Sequence, residues 1–278
     1  MNTATWEQAV RWFRSQPECA QAVCQNYFDL PVRNAAERYA QSEEFSEVLR
    51  LLGIGNGRVV LDLGAGNGIA SFAFAKHGWR VTAVEPDPSE EVGAGAIQSL
   101  IDETGLNVEL MRCRGEEILL PDGSFDAVHA RQVFHHAASL EGMVRDTARL
   151  LRSEGKLLAT REHVVDDDVQ LAVFRAAHPL HRWYGGESAY SVSTYLNAFK
   201  SAGLRVVRVW GPLESILNFY PGTEVERQRL LRDLGKGSWG KFGVCLERIP
   251  CVRRMQIKQV INQDHTPGRL FSFLLEKP

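Results

Sequence analysis

The feature that most constrains this chain is an apolar run that breaks into alternating glycines, Val59-Val60-Leu61-Asp62-Leu63-Gly64-Ala65-Gly66-Asn67-Gly68-Ile69-Ala70. Apolar residues on both sides of one acid read as a strand covered on both faces, the pattern of a parallel sheet. Glycine at every second position lets the backbone turn tightly and approach a ligand, because no Cβ intervenes. A helix predicted from Ile69 to His77 aims its free N–H groups at whatever fills the loop. A second apolar strand, Arg80 to Val84, ends in Glu85, seventeen residues past Gly68. An acid there stands beside the glycine loop and can accept both hydroxyls of a ribose.

Asp62-x-Gly64-x-Gly66-x-Gly68 followed by Glu85 resembles the first two motifs of class I S-adenosylmethionine-dependent methyltransferases. A dinucleotide enzyme more often shows G-x-G-x-x-G. Here the third glycine comes one residue sooner, and an acid stands two residues before the first. The resemblance covers about residues 52–163. It implies an α/β fold: a Rossmann-like, doubly wound seven-stranded sheet with an antiparallel last strand. It also implies S-adenosylmethionine as cofactor. Carried onto this sequence, the cofactor residues are Asp62, Gly64, Ala65, Gly66, Asn67, Glu85 and Pro86, joined by Gly115, Glu116 and Arg131. In the third motif the family's usual acid falls on Arg114, counting back from Pro121; Glu116 can supply the adenine acceptor instead, with Gly115 supplying backbone.

The rest of the chain reads as additions to that core. Residues 1–52 form an N-terminal helical cap, with Trp6, Val10, Trp12, Phe13, Ala20, Val23 and Tyr27 at helical spacing. Pro17 divides that stretch into two helices, and one further helix is predicted from about Asn34 to Leu52. The cofactor-binding core takes residues 53–210, and within it residues 164–190 mix aromatic, cationic and glycine residues like an acceptor-binding loop. The last core strand, Arg269 to Leu275 within residues 269–278, comes only at the chain's end. Residues 211–268 therefore read as an inserted lobe, with a helix about Glu224 to Leu234, a glycine-rich turn Gly235 to Gly243 and a helix about Ile249 to Gln263.

A net charge of −2 argues against a nucleic-acid partner held by broad phosphate neutralisation. Arg227 to Lys258 nevertheless holds nine basic residues against two acids, which reads either as a solvated surface or as a site for an anionic acceptor. Five cysteines without a C-x-x-C pair read as free thiols in a reducing compartment, the cytoplasm. No secretion signal or membrane span is expected, because no stretch approaches about 18 uncharged apolar residues.

Methyl transfer from a sulfonium is an in-line displacement in which the protein mainly orients. An alcohol acceptor must also lose a proton, and histidine is best poised to take it near neutrality. Six of the eight histidines fall between positions 129 and 181. His129 is mid-strand and reads as core. His135 and His136 stand at the mouth of the fourth strand and His163 at the mouth of the fifth, so these are the candidate catalytic bases. Tyr27, Tyr39, Glu162, His178, His181 and Tyr184 are the candidates for lining the acceptor pocket. Glu162, Asp166 to Asp168 and Glu187 are available to a metal, but no fixed ligand motif joins them, and His178-x-x-His181 is interrupted by Pro179. No metal is expected. The sequence reads as a methyltransferase for a small-molecule acceptor, at a hydroxyl of a sugar or other biosynthetic intermediate. N- or C-methylation, and a catalytically silent cofactor-sensing subunit, are the alternatives; the oligomeric state is open.

Overall fold

A computed structural model describes residues 4–219, 221–234, 249, 251–252, 255, 258–259 and 262–278. Seven strands form one sheet: β1 (Val59–Leu63), β2 (Arg80–Val84), β3 (Val108–Met111), β4 (Phe125–Arg131), β5 (Leu151–Val164), β6 (Arg205–Trp210) and β7 (Arg269–Glu276). Their order is β3-β2-β1-β4-β5-β7-β6. β1 to β5 run parallel, and β7 lies antiparallel between β5 and β6. The strand order reverses between β1 and β4, so the crevice beyond their carboxyl ends is where such a sheet binds ligands. The glycine loop leaves β1 at that end.

The helices are α1 (Trp6–Ser15), α2 (Ala20–Gln25), α3 (Val32–Ala40), α4 (Glu43–Leu52), α5 (Ile69–Lys76), α6 (Ala94–Thr104), α7 (Leu140–Leu150), α8 (Asp168–Ala177), α9 (Pro179–Trp183) and α10 (Val192–Ser201). The single helix expected from Asn34 to Leu52 is two. Ser42 breaks it: its hydroxyl accepts the Phe45 N–H at 3.0 Å and caps α4, with Glu43 and Glu44 in the first turn. Asp167 caps α8 in the same way, accepting the Gln170 N–H at 2.8 Å.

One face of the sheet is covered by α3, α4 and α5, whose Tyr39, Phe45, Val48 and Phe74 pack with Val60 and Ala127 of the strands. The other face carries α7 and α10, with Val144, Ala148, Tyr195 and Phe199 against Val128, Ala159 and Phe273. α1 and α2 make a smaller cluster of their own, in which Ala9, Phe13 and Val23 enclose Leu180 of α9. Trp12 and Trp183 pack at a tilt, ring centroids 4.7 Å apart, and Arg11 and Arg14 pair with Glu91 at 2.8 and 2.7 Å. The chain's start and the predicted acceptor loop thus meet at the carboxyl end of the sheet, beside the connection that follows β2.

β5 is longer than the expected Lys156 to Thr160, and it bulges between Ala159 and Glu162, where Arg161 takes φ 59°. A bulge re-aims the side chains beyond it. Here those are Arg161, Glu162 and His163. In the predicted lobe, residues 224–234 are helical. The predicted glycine-rich turn lies outside the described residues, as do much of the predicted helix to Gln263 and of the basic stretch. No helix among the described residues is long and apolar enough to cross a membrane.

Candidate functional site

Three glycines shape the first half of the site, and they do different work. A Cβ on Gly64 would press on Val133 at 2.8 Å, and one on Gly68 would meet Ile97 at 3.0 Å. Those two glycines let the loop pack against the ends of other elements. Gly66, at φ 57°, is different: a Cβ there meets nothing within 4 Å. Space for a ligand therefore adjoins the middle glycine. Beside it, Glu85 is 8% exposed. Its Oε2 accepts the Gly66 N–H at 2.7 Å and its Oε1 the Asp87 N–H at 2.9 Å. Burial pushes this carboxyl up to about 7, against the pull of those two backbone donors. Each oxygen keeps a lone pair for a hydroxyl donor, which suits the ribose of S-adenosylmethionine.

The other residues of the motif are held by the protein itself. Asp62 accepts the Ser71 hydroxyl at 2.6 Å and faces His129 Nδ1 at 3.4 Å, tying β1 to α5. Asn67 donates to the Tyr27 carbonyl at 2.6 Å, and the Ala65 N–H reaches the Val84 carbonyl at 2.9 Å. Pro86 is exposed. Gly115 lies against Leu63 and Met143, while Glu116 accepts the Ala138 N–H at 3.2 Å. Arg131 donates to Glu44 at 2.8 Å and to Gln132 at 3.0 Å.

The second half of the site is a buried cluster of histidines and carboxylates. Glu162 is fully buried, accepts the N–H groups of Val133, Phe134 and His135 at 3.0–3.1 Å, and shares a hydrogen bond with His135 Nδ1 at 2.7 Å. Burial raises its pKa and the three backbone donors oppose that rise. Glu162 thus fixes both the turn after β4 and the His135 ring, engaging Nδ1 and leaving Nε2 to the cluster. His163 is oriented the same way: its Nδ1 faces the Gly268 carbonyl at 2.8 Å, and because a carbonyl can only accept, the proton is on Nδ1 and Nε2 is left bare.

Around these two rings the others gather. Ring centroids stand 4.1 Å apart for His135 and His136, 4.8 Å for His135 and His163, and 6.1 Å for His163 and His178. Glu187, 6% exposed, lies 3.8 Å from His135 Nε2 and 3.9 Å from both His136 Nε2 and His178 Nδ1. Burial pushes His163 down to about 3, lowers His135 and His178, and raises Glu187. The imidazoles are therefore neutral at pH 7. His178 Nδ1 has no hydrogen-bond partner among the described residues. The three candidate bases, His135, His136 and His163, thus come together with Glu162 and His178.

Glu187 was legible in the sequence only as an available carboxylate. Its signal is the Gly185-Gly186 pair at φ 81° and 80°, which turns the chain back into the cluster. His181 stands further out on α9, where burial and the charge of Arg175 lower its pKa. Tyr184 packs on Trp6 at 5.5 Å and feels the charges of Asp87 and Glu85, so it stands on the glycine-loop side. His129 remains in the core, fully buried.

Tyr27 and Tyr39, both fully buried, border a third group of residues. Arg131 pairs with the buried carboxylate of Glu44 at 2.8 Å, and Arg161, also buried, feels the charges of both. Burial and Arg131 push Arg161 down to about 10. Its Nε and Nη1, with the Tyr39 hydroxyl, lack hydrogen-bond partners among the described residues. Surplus positive charge and open donors, out of water, are a seat for an anion.

Residues 61–159 match the family described as a methyltransferase domain. The chain is 29% identical over 132 residues to the uncharacterized methyltransferase YcgJ of Bacillus subtilis, covering 47% of this chain and 51% of that one. It is 28% identical over 160 residues to the ubiquinone biosynthesis O-methyltransferase of Azorhizobium caulinodans, covering 55% and 62%. The chain thus spans about half to three-fifths of the length of these relatives. Among solved structures, a geranyl diphosphate methyltransferase in complex with S-adenosylmethionine superposes with a TM-score of 0.59 over 99% of this chain and 96% of that one, at 14% identity.

Proposed function

We propose that this chain, which carries a class I S-adenosylmethionine-dependent methyltransferase domain and takes S-adenosylmethionine as cofactor, methylates a hydroxyl of an anionic small molecule. The observation that carries this reading is the cluster of His135, His136, His163 and His178 around Glu187, at the carboxyl ends of β4 and β5 and one strand from the glycine loop. The cofactor supplies an activated methyl group. Glu85 and the open side of Gly66 hold its nucleoside. The acceptor hydroxyl enters beside His136 and Glu187. Its proton leaves through His136, whose side chain is 45% exposed and can pass the proton on to water.

Oxygen is favoured because His136 stands at the exposed edge of the cluster, where an imidazole can take an alcohol's proton and hand it to water. The likeness to an O-methyltransferase supports the same choice. An anionic acceptor, such as an acidic sugar or another biosynthetic intermediate, is supported by the open donors of Arg161. Free Cys19, Cys24, Cys113 and Cys251 fit a reducing compartment, the cytoplasm. Once an acceptor is identified, replacing His136 by alanine should lower kcat by about 10²–10⁴ and leave S-adenosylhomocysteine affinity unchanged. Parental kcat in that variant would remove His136 from the proton path.

A further inference from the structure

We propose that His135, His163 and Glu187 bind a divalent transition-metal ion, with His178 as a fourth donor. The proposal rests on the reading of this cluster as the acceptor site, and it adds the ion that the cluster would present to the hydroxyl.

Three observations carry it. First, one ligand atom each from His135, His163 and Glu187 lie within 4.8 Å of one another. Ligands on one tetrahedral zinc stand about 3.3 Å apart, given a Zn–N distance of about 2.0–2.1 Å. Binding therefore asks for a contraction of about 1.5 Å at most. Second, both imidazoles are oriented in advance. His135 Nδ1 is engaged by Glu162 at 2.7 Å and His163 Nδ1 by the Gly268 carbonyl at 2.8 Å, so each leaves Nε2 for a ligand. A carboxylate or carbonyl behind a histidine is how metal-binding imidazoles are oriented. At Gly268 even the approach is built in: a Cβ there would meet Phe174 at 2.2 Å, and glycine alone brings that carbonyl up to His163.

Third, Glu187 faces three imidazole nitrogens at 3.8–3.9 Å and hydrogen-bonds to none of them. Opposite His135, the Glu187 carboxyl stops 3.8 Å short of Nε2, too far for a hydrogen bond and close enough for one ion to reach both. A cation between them would bond to each. It would also take up His178 Nδ1, which lacks a partner among the described residues. A set of two or three imidazoles and one carboxylate suits zinc, cobalt, manganese or iron, rather than magnesium or calcium, which prefer oxygen alone. Such an ion would acidify an alcohol bound to it. His136 then remains free to carry the proton out.

The test uses the full chain, dialysed against a chelator and titrated with Co²⁺ alone, followed by Zn²⁺. One equivalent of Co²⁺ should bind with the visible absorption of an imidazole-bound ion, and Zn²⁺ should displace it. His163→Gln and Glu187→Gln should each weaken Zn²⁺ binding by about 100-fold or more. Asp166→Asn, which alters the exposed His265–Asp166 pair, should leave it unchanged. S-adenosylhomocysteine binding checks that each variant is folded. No stoichiometric binding by the parent, or unchanged affinity in both folded site variants, would overturn the metal site. Methyl transfer by metal-free protein at the parental rate would overturn the ion's role and leave the proposed function standing. One bound equivalent, in a protein that methylates no alcohol, would overturn the proposed function and leave the metal site standing.

Discussion

At Gly66 the account makes its sharpest claim about a single residue. Alanine there meets no protein atom and costs only the left-handed backbone, about 1–2 kcal/mol. Gly105 is a matched control: it has φ 64°, meets nothing within 4 Å, and caps α6 at the opposite end of the sheet. Gly66→Ala and Gly105→Ala should lose similar stability in denaturant unfolding. Only Gly66→Ala should weaken S-adenosylhomocysteine binding, by about tenfold or more, a gap of about 1.4 kcal/mol. Equal affinities in the two variants would mean that no ligand lies against Gly66. Glu85 gives a pH signature. Its carboxyl is raised to about 7, and only the ionised form accepts from both ribose hydroxyls, so ligand binding favours loss of the proton. Affinity should therefore rise from about pH 6 to about pH 8 and level off above. Calorimetry on Glu85→Gln should show a flat profile; a parental affinity that falls as pH rises would contradict this role for Glu85. Gly66 and Glu85 were legible in the sequence because a loop needing φ > 0 and an acid at a strand end leave local marks. Glu187 left only the Gly185-Gly186 turn before it, since its partners His135 and His136 follow β4, some fifty residues earlier in the chain.

At the scale of elements, the sheet strands could be read from apolar runs, while their extensions could not. Arg161, Glu162 and His163 are polar and look like a loop after Thr160. They remain strand because β7, more than a hundred residues later, pairs with Glu162, His163 and Val164. The break at Ser42 was hidden for the opposite reason: apolar spacing runs through it, and a single capping hydroxyl decides the matter. The added elements are where motion is expected. α1 and α9 share a small cluster with few partners, and Trp12, Trp183 and Tyr184 form an aromatic seam between them and the glycine-loop side. Hydrogen exchange in α1, in residues 164–190 and in the helical residues 224–234 should slow in at least two of the three when cofactor and acceptor bind together. Exchange unchanged in all three would leave these segments as packing alone.

The whole molecule sets two chemistries side by side. The β1–β4 switch point puts the glycine loop with Glu85 and the histidine cluster on one crevice, and the bulge in β5 turns Glu162 and His163 into it. The fold class, the parallel order and the late antiparallel strand follow from the glycine motif and the resemblance it carries. The clustering of four histidines around one carboxylate follows from the fold. The central claim is that this crevice moves a methyl group to the hydroxyl of an anionic small molecule. Its most direct test is S-adenosylmethionine labelled with carbon-13 on the methyl group, incubated with the full chain and paired anionic and neutral forms of candidate alcohols, and followed by carbon NMR. The account predicts a new methyl-ether signal, one S-adenosylhomocysteine formed per ether, and faster turnover of the anionic form than of its neutral partner. Label appearing on nitrogen or carbon, or bound cofactor that is never turned over with any alcohol, would contradict it.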